Sequence, residues 1–462
     1  MSAREITVEP ITRIEGHSAI TILLEKKKVK EARFNVVESP RFFEKLLEGK
    51  FAEEAPRITE RICGVCPVAH HLASVKAVEA AWGCSPPQTA INLRRLMLIG
   101  QLISSHSLHL GFLALPDLLD LKDRSILGIS EKDPNLASSL FKLNQFGLQL
   151  TEAVGGRAVH PVAAIPGGMS KPLQGKSRDE LLVIGKECRG IAYNLAKLIE
   201  EVSRKSEKLV RSLDLNKTRY VALTRQGQFE MYDGSIEVAG PSGEKYEFEP
   251  KDYSDHIAEK TISHSYAKHP YLQKFGYPTG TYRVGPLARL NITEIPATNE
   301  MADYVQTFFN RFGRPAHNAF AFTYARAIEL LYGIETALDK LADPALEKED
   351  VFAEPEPTEG HGVGIVEAPR GLLIHDYHTD NAGLITKANI ISPTTHNVPS
   401  IESDVLLLAS NSLSHGKESE QRMLSRAEVL VRAYDPCMTC STHLVDLKRS
   451  VERERQILPP KQ

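Results

Sequence analysis

Two short cysteine pairs constrain this chain more than any other feature. Cys63 and Cys66 lie in ERICGVCPVAH, and Cys437 and Cys440 lie in YDPCMTCSTH. Between Cys66 and Cys437 stand 370 residues. Four thiolates brought to one point make a metal site. A fold that uses both pairs must therefore bring the two ends of a long chain together.

Composition limits the alternatives. Six cysteines in 462 residues are too few for a disulfide scaffold, and Cys84 and Cys188 read as small buried apolar residues. A reducing compartment is the natural setting. The net charge of −3 gives no reason to expect a nucleic acid or an anionic membrane as partner. No apolar run reaches the roughly 18 residues of a membrane span, and MSAREITVEPITRIEGH has the form of no secretory signal.

Periodicity predicts a mainly α, α+β protein, with long buried central helices and small peripheral β-sheets. The first 40 residues read as a hairpin with a Lys-rich turn at Lys26 to Lys28, broken at Pro40, and Arg41 to Gly49 as a short helix. Longer helices are expected from His70 to Trp82 and from Pro87 to a stop at Pro116. Others are expected from Arg178 to Leu213, from Glu300 to Leu341 with a break at Gly313 to Pro315, and from Glu418 to Tyr434. The second of these is apolar on nearly every face, which predicts a central position. Residues 217–290 alternate and carry QG, DG and SG turns, which predicts an inserted β-rich lobe. The acidic stretch Glu347 to Glu359 reads as a surface connection, followed by strands that turn at Pro369 to Gly371.

Spacing alone leaves three readings of the cysteines open: a catalytic or redox metal, a structural zinc, or two separate thiol redox motifs. Structural zinc usually staples a small domain that lacks a core, and this chain has ample core. His70 follows Cys66 by one helical turn and is placed to donate to a thiolate sulfur. Pro67 suits the first turn of a helix, which would put Cys66 at the N-terminus, where the dipole favours thiolate. Asp435 reads equally as a turn residue or a site residue.

RICGVCPVAH and DPCMTCSTH resemble the two signature motifs of the nickel–iron hydrogenase large subunit. ITRIEGH, GGRAVHPVAAIPGG, EAPRGLLIHDYHTDNAG and SPTTHN resemble further motifs of that family, in family order, from residue 11 to residue 443. The resemblance implies a catalytic subunit for the reversible heterolytic oxidation of dihydrogen. Cys63 and Cys437 would then be terminal nickel ligands, and Cys66 and Cys440 would bridge to an iron carrying cyanide and carbon monoxide. Pro369, Arg370, Pro393 and Thr394 match the pocket around those diatomic ligands, with Arg370 next to the open site. Glu15 matches a proton-carrying carboxylate, and Glu44 and His443 match ligands of a buried magnesium.

The resemblance also implies partners. The chain holds no further cysteine cluster, so electrons need an iron–sulfur small subunit of hydrogenase and, beyond it, further electron-transfer subunits. The β-rich lobe resembles the cytoplasmic, cofactor-coupled branch, which serves nicotinamide, deazaflavin or a heterodisulfide reductase. A maturation protease and nickel-insertion chaperones are expected, acting on a domain of residues 1–443 with a removable tail at 444–462. In one departure from the family, Ser105 stands where many relatives carry an aspartate. The competing reading is a non-enzymatic subunit, stapled by zinc or resembling the quinone-site subunit of complex I. That complex I subunit lacks the four cysteines.

Overall fold

The apolar stretch after Pro87 folds as the helix Gln88–Leu108. It passes through a six-residue π-helical turn, His109–Ala114, and ends as Leu115–Leu118. These are features of a computed structural model that describes residues 4–25, 28–39, 41–119, 121–414 and 419–442. Leu93, Leu96, Met97, Leu102 and Ile103 are all fully buried, on several faces of the helix. Among the described residues, Gln88–Leu118 is the one helical stretch long and apolar enough to cross a membrane. It is 83% buried inside the protein over the relevant window, as a core helix is. Pro116 does not end it as expected. The wider π turn precedes it, and Pro116 falls in the first turn of the last segment, where a missing N–H costs nothing.

Helix Pro134–Gly155 packs along this central helix and was not foreseen from the sequence. Its signals are ordinary. The Asp133 side chain accepts from Leu136 N at 2.9 Å, Pro134 opens the first turn, and Gly156 ends it at φ +80°. Ala137, Leu140, Leu143, Leu150 and Val154 bury one face. Helices Gly175–Lys205 and Ala319–Ala342 complete the helical layer. The stretch expected as one helix to Leu213 divides at Ser206. The expected break after Phe312 is present, between Asn299–Phe312 and Ala319–Ala342.

Among the described residues, three larger sheets lie around the helices, beside two two-stranded ones. Arg4–Val8, Ser18–Glu25 and Lys28–Val36 form an antiparallel sheet in chain order, with Glu25 opposite Lys28 as the hairpin reading requires. Lys26, Lys27 and Pro40 lie outside the described residues. The inserted lobe forms a five-stranded sheet between Arg219 and Arg283. Gly360–Ala368, Gly371–Thr379 and Ile385–Ile391 form the third, antiparallel sheet. The lobe and this third sheet share an apolar core that includes Val221, Leu223, Ile236, Leu372 and Ile374. Helix Pro393–Ser414 follows the third sheet; Pro399 in its interior hid it in the sequence.

Candidate metal centre

Each cysteine pair sits where a helix begins. Cys63 is extended (φ −145°, ψ 134°) after a short helical turn, Glu60–Ile62. Cys66 caps helix Pro67–Trp82, with Pro67 in its first turn as expected. The backbone N–H groups of Val65 and Cys66 both donate to Cys63 Sγ at 3.3 Å. At the other end of the chain, helix Glu420–Tyr434 stops at Asp435, whose left-handed φ of +56° reverses direction into the second pair. Cys437 N donates to Thr394 Oγ1 at 2.9 Å, and Cys437 then caps the short helix Met438–Ser441. Glu15 bridges to Cys437 in parallel register, and Met438 N donates to Glu15 O at 3.2 Å.

These constraints bring all four sulfurs together. Cys63 Sγ lies 3.5 Å from Cys437 Sγ, Cys66 Sγ lies 3.4 Å from Cys440 Sγ, and Cys437 and Cys440 are 3.0 Å apart. All four are buried and none is in a disulfide. Two sulfurs on one tetrahedral metal with bonds of about 2.3 Å stand about 3.7 Å apart, so the spacing suits a shared cation. Burial pushes the Cys437 and Cys440 thiols well up. Hydrogen bonding with Cys437, Cys440 and Cys63 outweighs burial at Cys66 and holds it well down. Four thiolates at one dry point need a cation to neutralise them, and the donor set fits a soft or borderline transition metal.

Arg370 lies beside the sulfurs. It occupies the two-residue turn between Ala368 and Gly371, a paired position of the hairpin. Gly285 holds the inserted lobe against this turn; a Cβ there would meet Arg370 O at 2.7 Å. Arg370 Nε donates to Asp435 O at 2.8 Å and Nη2 to Asp435 Oδ1 at 3.0 Å. Its Nη1 has no hydrogen-bond partner among the described residues. Burial works against its charge, yet Asp435, Cys437, Cys66 and Cys63 outweigh burial and raise its pKa well above the ordinary value. A second buried arginine, Arg326, donates to Ala433 O at 2.6 Å and leaves Nε and Nη2 without partners among the described residues. Burial pulls it down to about 10, against Asp435.

The remaining expected residues divide. Both Glu15 carboxylate oxygens are taken by Thr439, from Oγ1 at 2.8 Å and from N at 3.1 Å. Thr439 Oγ1 is in turn 3.7 Å from Cys437 Sγ. Pro369 shares the Arg370 turn, and Pro393 and Thr394 open the helix that receives Cys437 N. Glu44 accepts from Ile390 N at 3.0 Å; His443 lies outside the described residues. Ser105 is buried and its Oγ has no hydrogen bond among the described residues.

His70 is buried one turn after Cys66 and helps to hold the Cys66 thiol down, while His70 Nε2 has no hydrogen bond among the described residues. Its Nδ1 meets His375 Nε2 at 3.1 Å. The sequence reading missed this chain of contacts. Tyr377 OH donates to Ser74 Oγ at 3.0 Å, so it accepts from His375 Nδ1 at 2.6 Å. Burial and then His70 hold His375 well below its ordinary pKa, so it is neutral and its Nε2 accepts from His70. Period-two alternation in LLIHDYH places His375 and Tyr377 on one face, which is the signal that was available. Also missed was a fully buried ionic network. Arg289 pairs with Glu329 and Glu367 at 2.6 and 2.7 Å, and Glu329 meets His106 at 2.7 Å.

Comparison with known proteins completes the picture. Residues 41–145 and 209–443 match the nickel-dependent hydrogenase family, and residues 5–39 match a HoxL-like family. A vhu subunit of the F420-non-reducing hydrogenase of Methanocaldococcus jannaschii is 44% identical, over 86% of this chain and 97% of that protein. The NAD-reducing hydrogenase HoxS subunit beta of Cupriavidus necator is 33% identical, over 96% of this chain and 95% of that protein. A solved NAD+-reducing NiFe hydrogenase in its H2-reduced state superposes with a TM-score of 0.90 at 36% identity. It covers 95% of this chain and 99% of that one. The family match spans most of the chain, the relatives align along nearly their whole length, and the four cysteines converge. The chain therefore belongs to the nickel-dependent hydrogenase family, as the large, catalytic subunit of a nickel–iron hydrogenase.

Proposed function

We propose that the four cysteines hold a nickel–iron centre in which Cys63 and Cys437 are terminal nickel ligands and Cys66 and Cys440 bridge to iron. The observation that carries this is the convergence of four buried sulfurs from opposite ends of the chain, at 3.0–3.5 Å. Each pairing across motifs joins one terminal with one terminal candidate, or one bridging with one bridging. When bound, such a centre would supply the chemistry for heterolytic cleavage of dihydrogen. The chain's own residues do the rest. Arg370 offers Nη1 beside the site, a donor suited to cyanide on the iron, and Pro369, Pro393 and Thr394 exclude water. Glu15 accepts the proton leaving Cys437, through the Thr439 hydroxyl that lies between them. His70, held by His375 and Tyr377, packs beside Cys66 at the start of its helix.

Further parts of the reading rest on the family resemblance. Glu44 and His443 would share a magnesium ion, a hard cation suited to a carboxylate. Carbon monoxide and cyanide complete the iron. Electrons leave through an iron–sulfur small subunit to a soluble acceptor, in line with the F420-non-reducing and NAD-reducing names of the relatives. The complex works in the cytoplasm. A maturation protease, after nickel insertion by chaperones, trims residues 444–462 from a domain of residues 1–443.

Metal analysis with infrared spectroscopy tests the centre. Nickel and iron in near-equal amounts, with cyanide and carbon monoxide bands, are expected. Zinc as the sole metal at the cysteines would overturn the reading and favour a stapled structural subunit. Cys440→Ser is expected to abolish dihydrogen turnover.

A further inference from the structure

Three residues far from the cysteines converge in a second donor cluster. His264 lies in the loop after strand Ile257–Lys260, His269 begins strand His269–Leu272, and Glu402 lies on helix Pro393–Ser414. One donor atom from each falls within 4.8 Å of the others. None of the three belongs to a motif that marks the nickel–iron site.

The geometry of the cluster is half satisfied. Glu402 Oε1 accepts from His264 Nε2 at 2.7 Å and from Phe34 N at 2.9 Å. Glu402 Oε2 faces His269 Nε2 at 3.8 Å, too far for a hydrogen bond. His269 is only 1% exposed, and its Nε2 has no hydrogen-bond partner among the described residues. Buried polar atoms are normally satisfied, so an orphan aimed at a carboxylate points to a missing group between them. Two donors on one ion with bonds of about 2.0–2.2 Å stand about 3–3.6 Å apart, close to the gap observed. His269 Nδ1 meets Tyr277 OH at 3.2 Å. With Nδ1–H on that hydroxyl, the Nε2 lone pair faces the gap, the arrangement in which a second partner orients a metal-bound histidine.

We propose that His264, His269 and Glu402 bind a divalent transition-metal ion of the zinc class, through two imidazole nitrogens and one carboxylate oxygen. Two histidines and a carboxylate are a donor set for zinc and its neighbours, and a poor one for calcium or magnesium. His264 and Glu402 also line a cleft of about 520 Å³ shared with Lys30 and Tyr277, so water can fill the remaining coordination positions. The ion would fasten three segments together. They are the N-terminal sheet through Phe34, the inserted lobe through both histidines, and the helix whose first turn carries Thr394. Ser265 Oγ accepts from Val36 N at 3.1 Å and holds the same loop on the N-terminal sheet.

The test uses the assembled enzyme, so that the cysteines are already occupied. The enzyme is incubated with zinc, gel-filtered, and measured for metal content and by X-ray absorption at the zinc edge. One zinc per chain beyond nickel and iron is expected, with nitrogen and oxygen scatterers at about 2.0–2.1 Å and no sulfur shell at about 2.3 Å. His269→Gln and Glu402→Gln are each expected to lower zinc affinity at least about tenfold. The proposal is overturned if wild-type enzyme retains no extra zinc or if its zinc shows only sulfur scattering. It is equally overturned if both variants retain zinc as wild type does. Should one variant fail to fold, the other variant and the wild-type spectrum still decide.

Discussion

Arg370 makes two hydrogen bonds to Asp435, to its backbone oxygen at 2.8 Å and to its carboxylate at 3.0 Å, and the two side chains are almost fully buried. Asp435 is also the residue whose left-handed backbone turns the chain into the second cysteine pair. One residue therefore sets the direction of Cys437 and neutralises the arginine beside it. The metal site and its charge compensation are one construction.

Asp435→Ala should be among the most damaging single changes. It strands a buried guanidinium and puts a residue with little tolerance for positive φ at +56°. A loss of about 3–5 kcal/mol is expected from the broken buried pair alone. Asp435→Asn keeps a side chain that tolerates the left-handed region and one acceptor oxygen, and should lose less. Chemical denaturation of both variants checks the order; equal stability of Ala and wild type would refute it.

Glu15→Gln should separate proton movement from assembly. Glutamine keeps one oxygen to accept from Thr439 N and can donate its NH2 to Thr439 Oγ1, so nickel content should match wild type. It cannot carry the proton, so turnover should fall by roughly 10²–10⁴-fold. Thr439→Val removes the hydroxyl that touches both Cys437 Sγ and Glu15 and should also slow turnover. Nickel analysis beside a dihydrogen-uptake assay reads both effects, and unaltered turnover in Glu15→Gln would remove Glu15 from the proton route.

Much of the centre was legible because its chemistry needs fixed local spacing. Cys66, Pro67 and His70 announce a helix start with a cysteine at its cap; the helix expected from His70 begins at Pro67, the residue marked as suited to its first turn. The long helix after Pro87 announced its burial by being apolar all round. What stayed hidden depended on partners distant in sequence. Arg326 and Glu329 look like surface residues on a helix, and Arg289 like part of a β-rich lobe, until tertiary packing buries them. His375 joins His70 across 305 positions, a relation no local pattern carries. Helix Pro134–Gly155 is a different case, since its Asp-Pro start and Gly-Gly stop were present in the sequence.

Strand Gly360–Ala368 carries glycine at 360, 362 and 364, all on the face against helix Pro67–Trp82. A Cβ at Gly364 would stand 1.9 Å from Ala73 O, and one at Gly362 would stand 2.1 Å from Ala77 O. Those contacts are to helix backbone, which cannot step aside as a side chain can. Gly364→Ala should force strand and helix apart and cost about 1–3 kcal/mol or more. The helix begins at Cys66, so nickel retention should fall with stability. A variant with unchanged melting temperature and metal content would show that the helix can shift freely.

His106 should make the protein sensitive to acid. Burial holds its pKa down to about 4, against the pull of Glu329 at 2.7 Å. The unfolded histidine takes a proton below about pH 6.5, whereas the folded one stays neutral until about 4. Between those values the unfolded state binds more protons, so stability falls as pH falls through the window and is fully present above it. The contribution at stake is about 3 kcal/mol. Other groups also titrate there, so the comparison is with His106→Gln, which can still donate to Glu329 but does not titrate. Denaturant unfolding at about pH 7 and about pH 4.5 should show a smaller drop in the variant than in wild type. Parallel drops in the two proteins would show that His106 is already charged in the fold.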